Sequence, residues 1–263
     1  MNLGLSQKQA LITSASKGIG RGIALALAKE GCDIIITSSN ADNLDKTAKE
    51  IQDLTGVKVT RYVMDAENAD MVSSTCKTII SNHQRIDILI TNAPGPETGQ
   101  ALQLSDLQLS KAIQINLLSV IQLCRHFVPE MQKNKFGRVI NIGSTTGREP
   151  EANMALSNLT RAAVMAYAKT LSLEIAKDGV TVNTILTGGV LSERTTSLLQ
   201  DDAMRAGKDM DIFLKEVGEE VFPVGYIATT EQFVPLIVFL ASPQSQYVTG
   251  VNLPIDGGLM KAL

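Results

Sequence analysis

The sequence predicts an α/β fold: a doubly wound parallel sheet covered by helices on both faces. Two observations predict it. Short β-branched or apolar runs alternate with longer segments of helical period, and several of the runs are apolar at successive positions, not only at alternate ones. Strands shielded from water on both sides read in this way. No linker rich in Pro, Gly or Ser and no shift in composition divides the series, so residues 1–263 are expected to form a single domain.

Seven runs are expected as strands, at residues 9–13, 33–37, 58–63, 86–91, 138–142, 181–185 and 251–255. Helices are expected to begin near Ile19, Ala41, Glu67, Leu104, Asn153 and Thr229. Residues 187–222 break the pattern. They are polar and charged, are expected to hold at most short helices, and separate the last two strands. An insertion of this kind is expected to be a substrate lid, with a mobile surface excursion as the alternative.

The chain carries 24 Lys and Arg against 27 Asp and Glu, a formal charge of −3 that argues against nucleic acid as a partner. Hydrophobic residues make up 44% and charged residues 19%, a composition that folds around a core. The first nine residues lack the cationic start and apolar run of a secretory signal, and the longest apolar blocks, such as 234–241, are too short for a bilayer. No membrane partner and a cytoplasmic location are therefore expected. Cys32, Cys76 and Cys124 lie far apart, and His83 and His126 stand near none of them at ligand spacing, so neither a disulfide framework nor a metal site is expected.

The most informative segment follows the first strand: Thr13-Ser14-Ala15-Ser16-Lys17-Gly18-Ile19-Gly20, leading into an amphipathic helix. Gly18 and Gly20 let backbone amides approach a pyrophosphate at the positive end of that helix. A glycine pair is often only a tight turn. Its place between first strand and first helix is what makes it a nucleotide site and the fold Rossmann-type.

With this turn the sequence resembles the short-chain dehydrogenase/reductase family, whose motif reads Thr-Gly-x-x-x-Gly-x-Gly; Thr13, Gly18 and Gly20 match, and Ser14 replaces the first glycine. The resemblance runs from residue 9 to residue 258. It implies a dinucleotide held by Thr13, Ser14, Ser16, Lys17, Gly18, Ile19 and Gly20 in the turn, and by Ser38 and Ser39 after the second strand. Asp65 and Ala66 follow the third strand, where the family's aspartate bonds the adenine, and Asn92 and Ala93 follow the fourth. Arg161, Thr187, Gly188, Val190 and Ser192 are implied at the nicotinamide end, and Asp256-Gly257-Gly258 matches the C-terminal signature.

The cofactor choice turns on the end of the second strand, where an acid binds ribose hydroxyls and a base accepts a 2′-phosphate. Here Thr37-Ser38-Ser39-Asn40 carries no acid, Lys17 supplies a cation beside Gly18, and two serine hydroxyls can donate to phosphate oxygens. NADP(H) is favoured. NAD(H) is the alternative if Lys17 is an ordinary solvated charge.

The catalytic positions depart from the family. Ser144 matches its serine and Asn116 its helical asparagine, but the tyrosine and lysine positions, thirteen and seventeen residues beyond Ser144, are Ser157 and Arg161. The i, i+4 spacing keeps both on one helix face. A serine hydroxyl is far less acidic than a phenol, and a guanidinium stays protonated at any working pH. Arg161 is thus expected to bind ribose, stabilise an oxyanion or repel the oxidised nicotinamide, not to deliver a proton. Tyr167, six residues on and rotated by about 240°, is expected to serve packing. Pro94 and Pro96 are expected to stiffen the loop after the fourth strand, and Arg148, near the substrate, either grips an acidic group or pairs with Glu149 or Glu151.

The resemblance implies an oxidoreductase acting on a carbonyl or conjugated carbonyl compound. 3-Oxoacyl-[acyl-carrier-protein] reductase is the nearest generic label, and the substrate is a small molecule or an acyl thioester. Some bacterial members that reduce conjugated substrates similarly lack the tyrosine. The alternative is a nucleotide-binding regulatory protein with little turnover. By the same resemblance, a homotetramer or homodimer is expected.

Overall fold

The computed structural model describes residues 2–262. In chain order the first half comprises β1 (Gln9–Ile12), α1 (Gly18–Lys29), β2 (Asp33–Ser38), α2 (Ala41–Thr55), β3 (Val59–Val63), α3 (Ala69–Asn82) and β4 (Ile88–Thr91). Then α4 (Asp106–Ile113) passes through a π-helical turn, Gln114–Leu118, into α5 (Ser119–Lys133). The second half holds β5 (Gly137–Ile142), α6 (Ala155–Ile175), β6 (Val180–Thr187), β7 (Val190–Leu191), α7 (Glu193–Ala206), α8 (Met210–Val221), β8 (Ala228–Thr229), α9 (Thr230–Phe233), α10 (Pro235–Ala241) and β9 (Asn252–Ile255).

Seven strands form one parallel sheet in the order β3-β2-β1-β4-β5-β6-β9, the single-domain, doubly wound arrangement expected. The chain winds outward from β1 in one direction and from β4 in the other, so the loops after these two strands diverge and leave a crevice between them. β9 lies at an edge, which accommodates Pro254, a residue without an N–H for a further ladder.

Alternate side chains of the central strands enter two separate cores. Ala10, Ile12, Ile34 and Ile36 pack with Ile23 and Leu27 of α1 and with Phe233 and Ile237 on one face. Leu11, Ile35, Leu89 and Val139 pack with Cys76, Phe127 and Val164 on the other. This is why the strand sequences are apolar at successive positions. The helix starts lie within two residues of those expected, and local caps set three of them: Asn40 and Asn68 accept from Asn43 and Met71 amides, and Ser105 with Gln108 forms a capping box.

Residues 187–222 differ from expectation. Instead of short helices they contain α7 and α8, of 14 and 12 residues, and the short strand β7, which pairs in parallel with β8 just beyond the segment. Ser192 and Asp209 cap the two helices, and Gly207 ends the first in the left-handed conformation. Their many charges are the solvated faces of helices. The single helix expected from Thr229 is two, because Pro235 lacks the N–H that would carry α9 into α10. No helix among the described residues is long and apolar enough to cross a membrane.

Phe127 is 2% exposed and central to the second core. Phe127→Ala is expected to destabilise the fold by about 3–5 kcal/mol, measured by urea denaturation.

Candidate active site

The crevice beside β1 is a cavity of about 340 Å³ floored by the turn 14–19. The turn is held from both sides. The Thr13 hydroxyl donates to the Asn92 carbonyl at 2.7 Å and accepts from the Asn92 amide at 2.9 Å, and Asn92 Nδ2 donates to the Ser14 carbonyl at 3.2 Å. Thr13 and Asn92 therefore clamp the ends of β1 and β4. A Cβ on Gly20 would sit 2.5 Å from the Ser14 carbonyl oxygen and 2.9 Å from Ala15 Cα, so the helix can start this close to the strand only with glycine there. Ser14 takes φ +47, the left-handed conformation that the missing glycine would supply at less cost. The turn keeps its shape despite the substitution and carries strain at this residue.

Next to the turn, Ser16 donates to Ser38 Oγ at 2.8 Å, and Ser39 and Lys17 line the same wall. The acid-free tip of β2 thus forms a hydroxyl-rich corner with one cation. Asp65 and Ala66 close the far end; Asp65 accepts from the Glu67 amide at 3.0 Å, and the Ala66 carbonyl accepts from Gln114 Nε2 at 3.2 Å. Ala93, Pro94 and Gly95 form the opposing wall, with Ile19, Met64 and Ile115 as apolar lining.

Of the expected catalytic residues, Ser144, Ser157 and Arg161 gather at the end of β5, the strand next to β4, Asn116 lies in the π-helical turn, and none of the four lines this cavity. Ser144 opens a 3₁₀ turn, Thr145–Gly147. Its Oγ accepts from the Thr146 amide at 3.2 Å and from Thr146 Oγ1 at 3.1 Å, and Thr146 Oγ1 lies 2.9 Å from Ser157 Oγ. Three hydroxyls therefore form a chain, with Ser144 as its most exposed member and Ser157 buried behind it. Thr146 was not singled out in the sequence, although its position two residues after Ser144 is the only local signal. Arg161 is buried, donates from Nη1 to the Ile142 carbonyl at 3.0 Å, and has no partner at Nε among the described residues; burial lowers its pKa to about 10, leaving it cationic at neutral pH. Asn116 lies in the π-helical turn, fully buried, with Nδ2 donating to the Ala112 carbonyl at 3.3 Å and Oδ1 unpartnered among the described residues. Such turns are a recurrent feature of functional sites.

The last group of expected residues is largely occupied with structure. Gly188 donates to the Ile255 carbonyl at 3.1 Å and has no room for a Cβ beside Asp256. Val190 pairs with Ala228, the Thr187 hydroxyl is buried without a partner among the described residues, and Ser192 caps α7 while reaching the cavity wall. Beside Ser192 are two wall residues that sequence reasoning missed, Glu193 and Arg194. Glu149 accepts from the amides of Lys261 and Ala262, tying the loop after Ser144 to the C-terminal tail, and Arg148 is exposed. Tyr167 packs as expected: it meets the Cys124 thiol, and burial pushes its phenol upward.

The short chain dehydrogenase family profile matches residues 8–203. The chain belongs to this family. A 3-oxoacyl-[acyl-carrier-protein] reductase of Rickettsia conorii is 31% identical to this short-chain dehydrogenase over 256 residues, 97% of this chain and 98% of the relative. An L-sorbose reductase of Gluconobacter frateurii, solved with NADPH and L-sorbose, superimposes with a TM-score of 0.96 at 29% identity, covering 100% of both chains. An NADPH-dependent reductase involved in bacilysin biosynthesis superimposes at 0.91 with 26% identity, over 98% of this chain and 100% of the other. For this short-chain dehydrogenase the comparisons establish an oxidoreductase framework of the Rossmann type.

The strain at Ser14 is testable. Ser14→Val, which adds β-branching at a positive φ, is expected to cost about 2 kcal/mol. Ser14→Gly should stay within about 0.5 kcal/mol of the parent, since relief of strain offsets added freedom in the unfolded chain. Urea denaturation of the two variants measures both values.

Proposed function

We propose that the protein is an NADP(H)-dependent oxidoreductase that reduces a carbonyl or conjugated carbonyl compound, with 3-oxoacyl thioesters the first class to try. The observation that carries this reading is one continuous edge. The glycine turn, the acid-free corner of Lys17, Ser16, Ser38 and Ser39, and the Ser144–Thr146–Ser157 hydroxyls all lie at the C-terminal ends of neighbouring strands. The fit to NADP(H) rests on Gly20, where a Cβ would collide, and on a corner that offers a 2′-phosphate one cation and three hydroxyls with no opposing acid. NAD(H) lacks the group this corner would reward.

When bound, NADPH supplies the hydride. The chain's own residues orient the reacting oxygen and manage its proton. Because Ser144 Oγ accepts two hydrogen bonds from Thr146, its own proton points away from them and can bond a substrate oxygen. A ketone's developing alkoxide takes that proton, Thr146 resupplies Ser144, Ser157 resupplies Thr146, and Ser157 recovers a proton from solvent between turnovers, so that the proton delivered to the product is in the end water's. This relay stands in for the phenol. In a conjugated substrate the charge spreads into an enolate, Ser144 holds the oxygen, and solvent protonates carbon. Arg161, cationic one helical turn beyond Ser157, favours negative charge at this end of the site. The pair α7 and α8 serves as the substrate lid. Exposed Leu107 and Leu118, with Leu159 and Leu173 of α6, supply the apolar surface for a homodimer or homotetramer, which light scattering would reveal as a multiple of 28.2 kDa.

Incubation with 3-oxoacyl thioesters, simple ketones and enones, followed through loss of NADPH absorbance, is expected to show turnover of at least one class. Silence across the panel overturns the reading. Thr146→Val should lower kcat for a ketone about tenfold while affecting an enone less, since the enone draws its proton from solvent; equal losses for both would refute the relay. Lys17→Ala should weaken NADPH binding about tenfold and leave NADH unchanged in a fluorescence titration.

A further inference from the structure

The first turn of α7 bridges the cavity on two hydrogen bonds. On one side Glu193 Oε2 accepts from the Gly18 amide at 2.6 Å, and on the other Arg194 Nη1 donates to the Gly95 carbonyl at 2.9 Å. The Gly18 amide is among the first N–H groups of α1, which have no acceptor within the helix and attract anions. It is also one of the amides that the glycine turn would present to a pyrophosphate. The chain therefore places its own carboxylate on that amide.

The second oxygen of this carboxylate has somewhere to go. Glu193 Oε1 lies 3.6 Å from Arg21 Nη1, one turn along α1, where the same guanidinium donates from Nε to Glu50 at 3.0 Å. The seam between the turn and α7 is narrow: a Cβ on Gly18 would meet Ser192 Cβ at 3.2 Å and Glu193 Oε2 at 3.4 Å. A carboxylate and a diphosphate cannot both occupy it, and their charges repel. Glu193 is half exposed, so detaching it costs little.

We propose that Glu193 gates the dinucleotide site: its carboxylate competes with the pyrophosphate for the Gly18 amide, and the bound dinucleotide displaces it toward Arg21. This rests on the dinucleotide reading above. The gate acts on the pyrophosphate, so it lowers affinity for NADPH and NADH alike. It says nothing of the 2′-phosphate, which Lys17 and the serine corner govern. It also couples the cofactor to the lid, because Glu193 is the first residue of α7 and Arg194 anchors the same turn to Gly95.

The test is equilibrium binding by NADPH fluorescence and by calorimetry, with no turnover involved. Glu193→Gln removes the charge and Glu193→Ala removes the competitor. Both are expected to bind NADPH and NADH about tenfold more tightly than the parent, while adenosine 2′-monophosphate, which has no pyrophosphate, binds all three proteins equally. Unchanged or weaker dinucleotide binding in both variants, with the parent binding normally, overturns the gate and leaves the proposed function intact. An equal gain for adenosine 2′-monophosphate also overturns it, since the effect would then be a general one of charge. Absence of dinucleotide binding in all three proteins removes the gate together with the functional reading.

Discussion

The clamp between Thr13 and Asn92 is the contact on which the site depends. At the end of β1 the chain turns toward one face of the sheet, and at the end of β4 it continues along the other half, so the ladder between the two ends stops with the Thr13 amide donating to the Ile90 carbonyl at 3.1 Å. The reciprocal bonds between the Thr13 hydroxyl and the Asn92 backbone extend the pairing by one step, and the Asn92 amide group then holds the Ser14 carbonyl. Ser14 is thereby fixed in its left-handed conformation, Gly20 can approach the turn, and the first amides of α1 face the crevice. An exposed threonine in this position would do none of this. Buried between two strand ends, it makes both bonds away from competing water.

The same logic applies to the proposed chemistry at the end of β5, where the groups are smaller. A serine at position 157 cannot reach the crevice as a phenol would, and it turns instead to Thr146. The shorter side chain is compensated by a further hydroxyl and by backbone, since the Thr146 amide orients Ser144 as well. Fixing the acceptor side of Ser144 twice leaves its proton one direction to point, a form of orientation that costs no rearrangement during reaction.

Much of this was legible in the sequence, and the boundary of legibility has a physical meaning. The strands could be read because burial on both faces demands apolar residues at consecutive positions, and the glycine turn because its geometry excludes side chains locally. The helices of residues 187–222 were obscured by their charged residues: Ser192, Gly207 and Asp209 are ordinary caps and Phe213, Leu214, Val217 and Val221 recur at helical spacing in α8, but with only Ala203 and Gly218 buried the apolar positions are diluted by charge. The contact of Glu193 with Gly18 spans 175 positions, so no local pattern encodes it. Thr146 is a different case. It was near at hand, yet a threonine after a serine has no chemical meaning until its hydroxyl is placed between two others.

Arg161 and Asn116 show how far the site departs from a purely structural solution. A buried guanidinium bonded to a single carbonyl, with Nε unpaired among the described residues, is expensive for a fold to maintain. Asn116, in the π-helical turn packed against α6, leaves an acceptor equally unpaired. Stability alone would select an apolar residue at either position, as it does at Leu156 and Val164 on the same helix, both of which are buried. Retaining a buried positive charge and an open acceptor in two elements packed against each other favours a chemical role over a packing one. Lowered by burial only to about 10, the guanidinium holds its charge across the physiological range, so in the proposed reaction its influence on an oxyanion would be electrostatic and constant while the hydroxyls would carry the proton.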